Sequence, residues 1–362
     1  MIMLGHGNIM NSSQTVFHKI LHSHLDESAI NEHFKILTPV ELAGVYIDSA
    51  YLSTTCEYLK EQFWLRKRDF PDKSYEDLLD GALDKELLQV SYLKAVLLDH
   101  SSSGLKELSR KTDLTEKLVI AEILSRSSKD QKEFLIRTLE SMHEVFTLEE
   151  KAQEGRHIDL GHSGPCLYRT FDGLDLIFKL DYQLDKDMVV DHLTKERLYQ
   201  KSGVGVQSGY STILLALQHS NLSKGKTLVD LGSGYGRVGL VGSLLWPEVD
   251  FIGYEYVPHR VDVSNNASEF LKLNQCKFFT QDLSLKTFDV PEADVYYLYD
   301  PFSEETYKYV LDQIIEISKR REITVVTKGN ARSWLSKISK ELSWPNPTLV
   351  DEGNLCVFKN SL

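Results

Sequence analysis

The sequence predicts two regions with different folds, an all-α region near the N-terminus and an α/β region in the C-terminal half. From about residue 38 to residue 155, apolar residues recur at three- and four-residue spacing, which is typical of amphipathic helices. From about residue 222 onward, short runs rich in β-branched and aromatic residues alternate with helix-length segments. That alternation indicates βαβ units and a mostly parallel sheet.

The size and charge of the chain restrict the functions that it can serve. Its 362 residues are enough for two domains with separate cores. A net charge of −12 counts against a nucleic acid as the main partner, because phosphate binding usually needs a basic surplus. No apolar run reaches the roughly 18 residues of a membrane span. The first residues also lack the pattern of a signal peptide.

The four cysteines point to a reducing compartment. They lie far apart, without a Cys-x-x-Cys pair, at Cys56, Cys166, Cys276 and Cys356. This spacing is typical of reduced thiols in a cytoplasmic protein, and it fits neither a disulfide framework nor a zinc site. We therefore predict a cytoplasmic location, and the oligomeric state is left open by the sequence.

The helical region is predicted to span residues 38–155, after a flexible N-terminal segment of residues 1–37. Thr38 is suited to cap the first helix, with Pro39 at the first helical position and Glu41 closing a capping box. Further amphipathic segments follow at residues 74–100, 114–128 and 128–146.

Histidines in the N-terminal segment raise the question of a metal. His18 and His22 are four residues apart, so a helix would place both on one face. A solvated segment is the commoner explanation of such a pattern, and we expect no metal in this protein.

A connector is predicted at residues 156–205, with a possible β-hairpin whose turn is Asp172-Gly173. The α/β domain then covers residues 206–362 and opens with a helix near Tyr210. Its predicted strands have the sequences TLVDL, VDFIGYE, CKFFTQD, DVYYLYD, EITVVTK and NLCVFKN.

The stretch TLVDLGSGYGRVGL, residues 227–240, places glycines directly behind the first of these strands. Such a strand–turn–helix unit directs backbone N–H groups at a ligand. Its glycines have the dinucleotide spacing when counted from Gly234, through Gly236 to Gly239. That register leaves the acidic Asp230 at the strand tip, where a pyrophosphate would be repelled.

Counted from Asp230, the stretch resembles motif I of the class I S-adenosylmethionine-dependent methyltransferases. The resemblance implies that the loop backbone binds the methionine part of the donor and that the acidic residue orients its ammonium group. The residues carried over are Asp230, Gly232, Ser233, Gly234 and Gly236. A carboxylate also suits a cationic donor on electrostatic grounds.

The later strands match further motifs of that family in the same order. Glu255 ends the second predicted strand, where the family binds the ribose hydroxyls, and Tyr256 follows it. Asp282 follows the third strand at the position that contacts the adenine amino group, with Leu283 after it. The resemblance implies a Rossmann-like seven-stranded methyltransferase sheet, with NLCVFK as its antiparallel strand, and S-adenosyl-L-methionine as donor with S-adenosyl-L-homocysteine as product.

The sequence YDPF after the fourth strand lies where the family has its catalytic motif, at Asp300, Pro301 and Phe302. Methyltransferases of planar amino groups often have a second proline here, and this chain departs from that pattern. The shorter motif resembles Dot1 and FAM173-type protein lysine methyltransferases, as does the segment GVGVQSGYSTILLAL. From that segment Gln207 and Tyr210 are carried over as donor-binding residues.

The resemblance therefore implies N-methylation of a protein amino group, with a protein as substrate. A small-molecule N- or O-methyltransferase is the nearest alternative, because helical additions also cover small acceptors. A donor-binding module without catalysis and a nucleic-acid methyltransferase are further alternatives, the last disfavoured by the acidic net charge.

Overall fold

The computed structural model divides into two compact units, Met1–Arg169 and Thr170–Leu362. The first is helical and the second is α/β, in agreement with the sequence. The residues that the structure describes are 12–69, 72, 74–83, 87–100, 102–153, 171–186, 188, 207–299, 302–328, 330–350 and 355–360.

The first unit contains seven α-helices among its described residues. Their bounds are α1 Ser12–His22, α2 Glu27–Lys35, α3 Pro39–Asp69, α4 Tyr75–Gly81, α5 Lys94–Leu98, α6 Leu105–Leu124 and α7 Ser128–Gln153, with a 3₁₀ segment at Leu88–Leu93 before α5. In the described part of the chain no helix combines the length and the apolar character that a membrane span requires.

Helix α3 is the centre of this unit and packs against both α6 and α7. The predicted capping box at its start is present. The Glu41 carboxylate accepts from the Thr38 N–H at 2.8 Å, and the Glu41 N–H donates to the Thr38 hydroxyl at 3.2 Å. Hydrogen bonding to Thr38 lowers the pKa of Glu41. Further along α3, the Tyr51 ring meets the Phe146 ring of α7 edge to face.

The prediction of a flexible segment over residues 1–37 is wrong for residues 12–35, which form α1 and α2. Asp26 caps α2 by accepting from the Ala29 N–H at 2.8 Å. The apolar side chains of both helices are buried, notably Phe17, Leu21 and Phe34. Their burial supplies the stabilisation that their short, polar-rich sequences do not show on their own.

The predicted helical segment 74–100 is also interrupted. Helix α4 ends at Gly81, and the chain continues as the 3₁₀ segment and then α5. Val90 inside the 3₁₀ segment has non-helical dihedrals, so the backbone changes direction there. Its side chain and that of Leu87 are fully buried, which shows that tertiary packing sets the path of this segment.

The predicted hairpin at Asp172-Gly173 is wrong. These two residues lead into helix α8, Leu174–Phe178, and α9, Gln183–Lys186, follows shortly after. Leu174, Ile177 and Phe178 are buried at helical spacing, and a strand would have divided them between two faces. Helix α8 stops at Lys179, whose φ of 62° is left-handed.

The second unit is built on a seven-stranded sheet of order β3-β2-β1-β4-β5-β7-β6. Strand β7 runs antiparallel to both of its neighbours, and the other described pairs are parallel. The bounds are β1 Thr227–Leu231, β2 Asp250–Glu255, β3 Cys276–Thr280, β4 Val295–Tyr299, β5 Thr324–Lys328, β6 Thr348–Val350 and β7 Leu355–Lys359. The predicted seven-stranded sheet with an antiparallel strand is confirmed.

Five further helices connect and cover the strands of this sheet. They are α10 Tyr210–His219, α11 Arg237–Leu245, α12 Pro258–Phe270, α13 Glu304–Ser318 and α14 Asn330–Glu341. Helices α11 and α12 pack against β2 and β3, and α14 packs against β5. The helices between parallel strands align the carboxyl ends of β1, β2, β3 and β4 at one edge of the sheet, where the motifs of interest lie.

We predict that Phe34→Ala lowers the free energy of unfolding by about 3 to 5 kcal/mol, because it deletes a fully buried ring. Urea denaturation followed by circular dichroism measures the change. Ile36→Ala is the matched control, since Ile36 is 77% exposed and its loss should cost less than about 0.5 kcal/mol. Equal effects of the two substitutions would contradict the docking of α2.

Candidate functional site

The glycine loop joins the end of β1 to the start of α11. Gly232, Gly234 and Gly236 have φ of 93°, 55° and 81°, all in the left-handed region that residues with a side chain rarely adopt. The N–H groups of Gly232 and Ser233 both donate to the Tyr254 carbonyl of β2 at 2.8 Å. These bonds anchor the loop to the neighbouring strand.

The glycines are also required by the space around them. A Cβ on Gly234 would lie 2.6 Å from the Gln207 side-chain nitrogen, and one on Gly236 would lie 2.6 Å from the Phe278 ring. A Cβ on Gly239 would meet the Phe251 ring at 2.2 Å. Gly239 therefore permits close packing of α11 on the sheet, so its place in the dinucleotide spacing is explained by packing.

Two carboxylates are buried beside this loop. Asp230, in β1, is 2% exposed, and Glu255, at the end of β2, is 6% exposed. Glu255 accepts from the Gly234 N–H at 2.9 Å and from the Val257 N–H at 3.0 Å. A side-chain nitrogen of Arg260 lies 3.6 Å from the Glu255 oxygen that accepts from Val257. Among the described residues, no hydrogen-bond donor reaches the carboxylate of Asp230.

Burial raises the pKa of both acids. For Asp230 the pKa is well above its usual value because of burial and, second, because of the Glu255 charge. Burial also raises the pKa of Glu255, against the opposing effects of Arg260 and the two backbone N–H groups. A positively charged ligand beside two such acids would stabilise both, because it favours the ionised form of each carboxyl.

The side chain of Gln207 lies against the glycine loop. Its side-chain oxygen accepts from the Tyr235 N–H at 3.3 Å. Its buried side-chain nitrogen has no hydrogen-bond partner within the described part of the chain. A buried donor without a partner is costly, so this amide is available to a ligand.

Tyr210, which is predicted to bind the donor, is fully buried beside the ion pair of Arg237 and Asp175. Its hydroxyl donates to Asp175 at 2.6 Å, and the Arg237 guanidinium lies 4.8 Å over its ring. Arg237 binds both oxygens of Asp175 and also donates to Asp172 at 2.7 Å and to the Ser208 carbonyl at 3.1 Å. This placement favours a positioning role for Tyr210.

Arg237 and Asp175 are not among the residues that the sequence motifs indicate. Arg237 begins α11, where a cation is unfavourable next to the helix dipole, and the rest of that helix is apolar. An arginine at such a position needs a buried anion, and this signal could have identified it. Its partner, Asp175, is 62 residues away in the chain and could not be chosen from the sequence.

A second buried pair joins α9 to α12. Asp185 accepts two hydrogen bonds from Arg260 at 3.1 Å and one contact from the His259 ring at 2.8 Å. Burial opposes the charge of Asp185, yet the bonds from Arg260 and His259 lower its pKa below the usual value. Arg260 therefore connects Asp185 to Glu255 and to the glycine loop.

The acid predicted after β3 lies at the same sheet edge as Glu255. One oxygen of Asp282 accepts from the Ser284 N–H at 2.9 Å and from its hydroxyl at 2.6 Å. Asp282 and Tyr256 are both partly exposed, whereas the Leu283 side chain is buried in the core. Partial exposure leaves the first two accessible to a ligand.

The predicted catalytic residues lie after β4, and Asp300 and Pro301 are outside the described residues. Phe302 is fully buried and meets the Tyr307 ring edge to face, with centroids 5.1 Å apart. That packing fixes the backbone at residue 302 and withdraws the ring from solvent. The Phe302 ring is therefore part of the hydrophobic core of the sheet domain.

Strand order separates the two interpretations of the glycine loop. A dinucleotide fold has the parallel order 3-2-1-4-5-6. This sheet continues past β5 with the antiparallel β7 and then β6. The sheet is that of the class I methyltransferases.

No protein-family model matches the chain, and no curated protein matches it. Solved structures match its C-terminal part, over about 40% of the chain. TrmN from Thermus thermophilus is 17% identical, and the match covers 41% of this chain and 49% of TrmN, with a TM-score of 0.34. This chain thus spans about half the length of TrmN.

For two other solved structures, the match with this chain covers almost their whole length. A precorrin-6y C5,15-methyltransferase from Geobacter metallireducens is 12% identical, with 43% of this chain and 90% of that one covered and a TM-score of 0.34. An RNA methyltransferase from Salinibacter ruber, solved with S-adenosyl-L-homocysteine, is 20% identical, with 42% and 92% covered and a TM-score of 0.34. Similarities this distant concern the fold alone.

We predict that Asp175→Asn lowers the free energy of unfolding by about 3 to 5 kcal/mol, because the buried Arg237 loses its buried carboxylate and keeps only the more exposed Asp172 as a charged partner. Chemical denaturation measures the change. The control is Glu292→Gln, which breaks an exposed ion pair with Arg320 and should cost less than about 1 kcal/mol. A small effect of Asp175→Asn would show that the buried pair is not needed for stability.

Proposed function

We propose that this protein is an S-adenosyl-L-methionine-dependent methyltransferase that methylates an amino group of a protein, specifically a lysine side chain. The observation that carries the donor assignment is the pair of buried carboxylates, Asp230 and Glu255, beside the glycine loop. A cationic ligand offsets the cost of burying two acids together, whereas a pyrophosphate would increase it.

The residues around the loop fit the methionine part of the donor. Gly232, Gly234 and Gly236 keep the backbone free of side chains, so a ligand can approach it closely. Asp230 is suited to bind the ammonium group, since its carboxylate accepts no hydrogen bond from the described residues. The unpaired side-chain nitrogen of Gln207 is suited to donate to the ligand carboxylate.

The nucleoside part fits the neighbouring strand ends. Each oxygen of Glu255 accepts one backbone N–H, and a carboxylate has further lone pairs that can accept from ribose hydroxyls. Asp282 and Tyr256 are accessible at the same edge for the adenine ring, with Leu283 packed behind them. Open α/β sheets bind their ligands at this carboxyl edge, which supports the placement.

The donor supplies an electrophilic methyl group on a sulfonium. The acceptor nitrogen forms the new N–C bond with its lone pair as the C–S bond breaks, so a lysine must first lose its proton. The chain contributes position and charge rather than covalent chemistry. In our proposal Asp300 accepts a hydrogen bond from the amine and the Pro301 carbonyl orients it.

We predict that donor affinity depends on the ionisation of Asp230. Its raised pKa means that binding requires loss of a proton, so affinity for S-adenosyl-L-homocysteine is constant above that pKa and falls by up to about tenfold per pH unit below it. The fall should begin at a higher pH than an ordinary aspartate, with a pKa of about 3.9, would give. Titration calorimetry across a pH series measures the affinities.

Asp230→Asn should lose at least about 2 kcal/mol of donor binding, or roughly 30-fold in Kd, and most of its pH dependence. Asp250→Asn is the matched control, since Asp250 is exposed at the opposite end of β2. Unchanged affinity in Asp230→Asn, with Asp250→Asn also unchanged, would remove the donor assignment.

We predict that the full-length protein, given donor with a labelled methyl group and a cell lysate, transfers label to protein that yields methyllysine after hydrolysis. Asp300→Ala should keep donor affinity and lose at least about tenfold in rate, because it removes the group that accepts a hydrogen bond from the amine, a contact to a charged group worth about 1.5 to 3 kcal/mol. Asp289→Asn, an exposed acid in the loop before β4, should leave the rate unchanged.

The outcomes of this experiment separate the parts of the proposal. Label confined to small molecules would replace the protein acceptor with a small-molecule acceptor and keep the transferase. Donor binding without label in any fraction would identify a binding module without catalysis. A normal rate in Asp300→Ala would show that the role given to Asp300 is incorrect.

A further inference from the structure

A cluster of metal-ligating side chains lies in the helical unit. Helix α1 places His18 and His22 on one face, one turn apart, with ring centroids 4.0 Å apart. The residue after α5, Asp99, meets them there, and its carboxylate lies 3.8 Å from the His22 side-chain nitrogen. One ligand atom from each of the three residues lies within 4.8 Å of the others.

Folding creates this cluster, because Asp99 is far from α1 in the sequence. The sequence alone offered two histidines at helical spacing, for which a solvated segment was the commoner explanation. The structure adds a carboxylate from a different element, which makes the set two imidazoles and one carboxylate. Imidazole and carboxylate together are ligands of divalent first-row transition ions.

A third imidazole stands next to this set. The His100 ring centroid is 5.6 Å from that of His22, and its Nδ1 lies 2.8 Å from the Val96 carbonyl. A carbonyl only accepts hydrogen bonds, so Nδ1 carries the proton and Nε2 keeps a free lone pair. Backbone bonds of this kind fix the tautomer of metal-binding histidines.

The charge of the nearby Lys111 ammonium is partly compensated by other groups. The Lys111 ammonium donates to the carbonyls of Leu21 and Ser23 at 2.6 and 3.3 Å, and the Glu107 carboxylate lies 3.8 Å from it. These contacts fix the C-terminal end of α1 against α6. They therefore position His22 and at the same time compensate part of the lysine charge.

We propose that His18, His22 and Asp99 bind one divalent transition ion, zinc in particular, with His100 or water completing the coordination. The side chains of His22 and Asp99 are 27% and 60% exposed, so the ion is accessible from solvent. Bound there, it joins α1 to the turn after α5 inside the helical unit. This site is independent of the proposed methyltransferase activity.

The test uses the full-length protein without a polyhistidine tag, freed of metal by chelation. Titration calorimetry with ZnCl₂ should show one site, and Co²⁺ should give the visible absorption bands of a protein-bound ion. His22→Gln and Asp99→Asn should each weaken Zn²⁺ binding by at least about tenfold. Substitution of a residue that only hydrogen-bonds to a metal ligand already costs about that much, so loss of a ligand should cost no less. His24→Gln, an exposed histidine two residues beyond the cluster, is the matched control and should bind as the wild type does.

Thermal unfolding provides a second readout that does not involve activity. Zn²⁺ should raise the Tm of the wild type and of His24→Gln, and should raise that of His22→Gln by less at the same concentration, because stabilisation follows the affinity of the folded state for the ion. Far-ultraviolet circular dichroism verifies that each variant is folded. Absence of a one-to-one site in the wild type, or equal affinity in His22→Gln and His24→Gln, would overturn the proposal.

Discussion

The buried carboxylates of Asp230 and Glu255 determine the electrostatics around the glycine loop. Glu255 is held by two backbone N–H groups and by Arg260, and Arg260 is itself held by Asp185 from the segment ahead of the sheet. Asp230 has no such support among the described residues and keeps a raised pKa. The electrostatics of the loop thus depend on residues well outside the recognisable motif.

The strands of the sheet could be predicted because their signals are local. Runs such as VDFIGYE and DVYYLYD are rich in β-branched and aromatic residues, which are the residue types that favour strands. Strand β6 escaped prediction because it has only three residues and buries one of them, Val350. Helices α1 and α2 escaped it because their stability comes from distant partners, and a short amphipathic sequence does not reveal whether such a partner exists.

Only those parts of the candidate site that have local sequence signals could be predicted. Glycines that need a left-handed backbone, and acids at strand ends, are visible as residue types in fixed order. The environments of Tyr210 and Phe302 were not visible, since an aromatic residue can face a ligand or the core with equal ease. The pairing of Arg237 with Asp175 was also hidden, because nothing in a single sequence connects two residues so far apart.

The contact between Gly239 and Phe251 differs from those of the other loop glycines. The backbone of Gly239 is ordinary, so only the ring of Phe251 keeps a side chain out. Positions 239 in α11 and 251 in β2 therefore share one space. A methyl group added at Gly239 fits only if the side chain at position 251 is smaller than phenylalanine. Evolutionary change at either position is tied to change at the other, whereas Gly234 and Gly236 are held by backbone conformation as well and have no comparable escape.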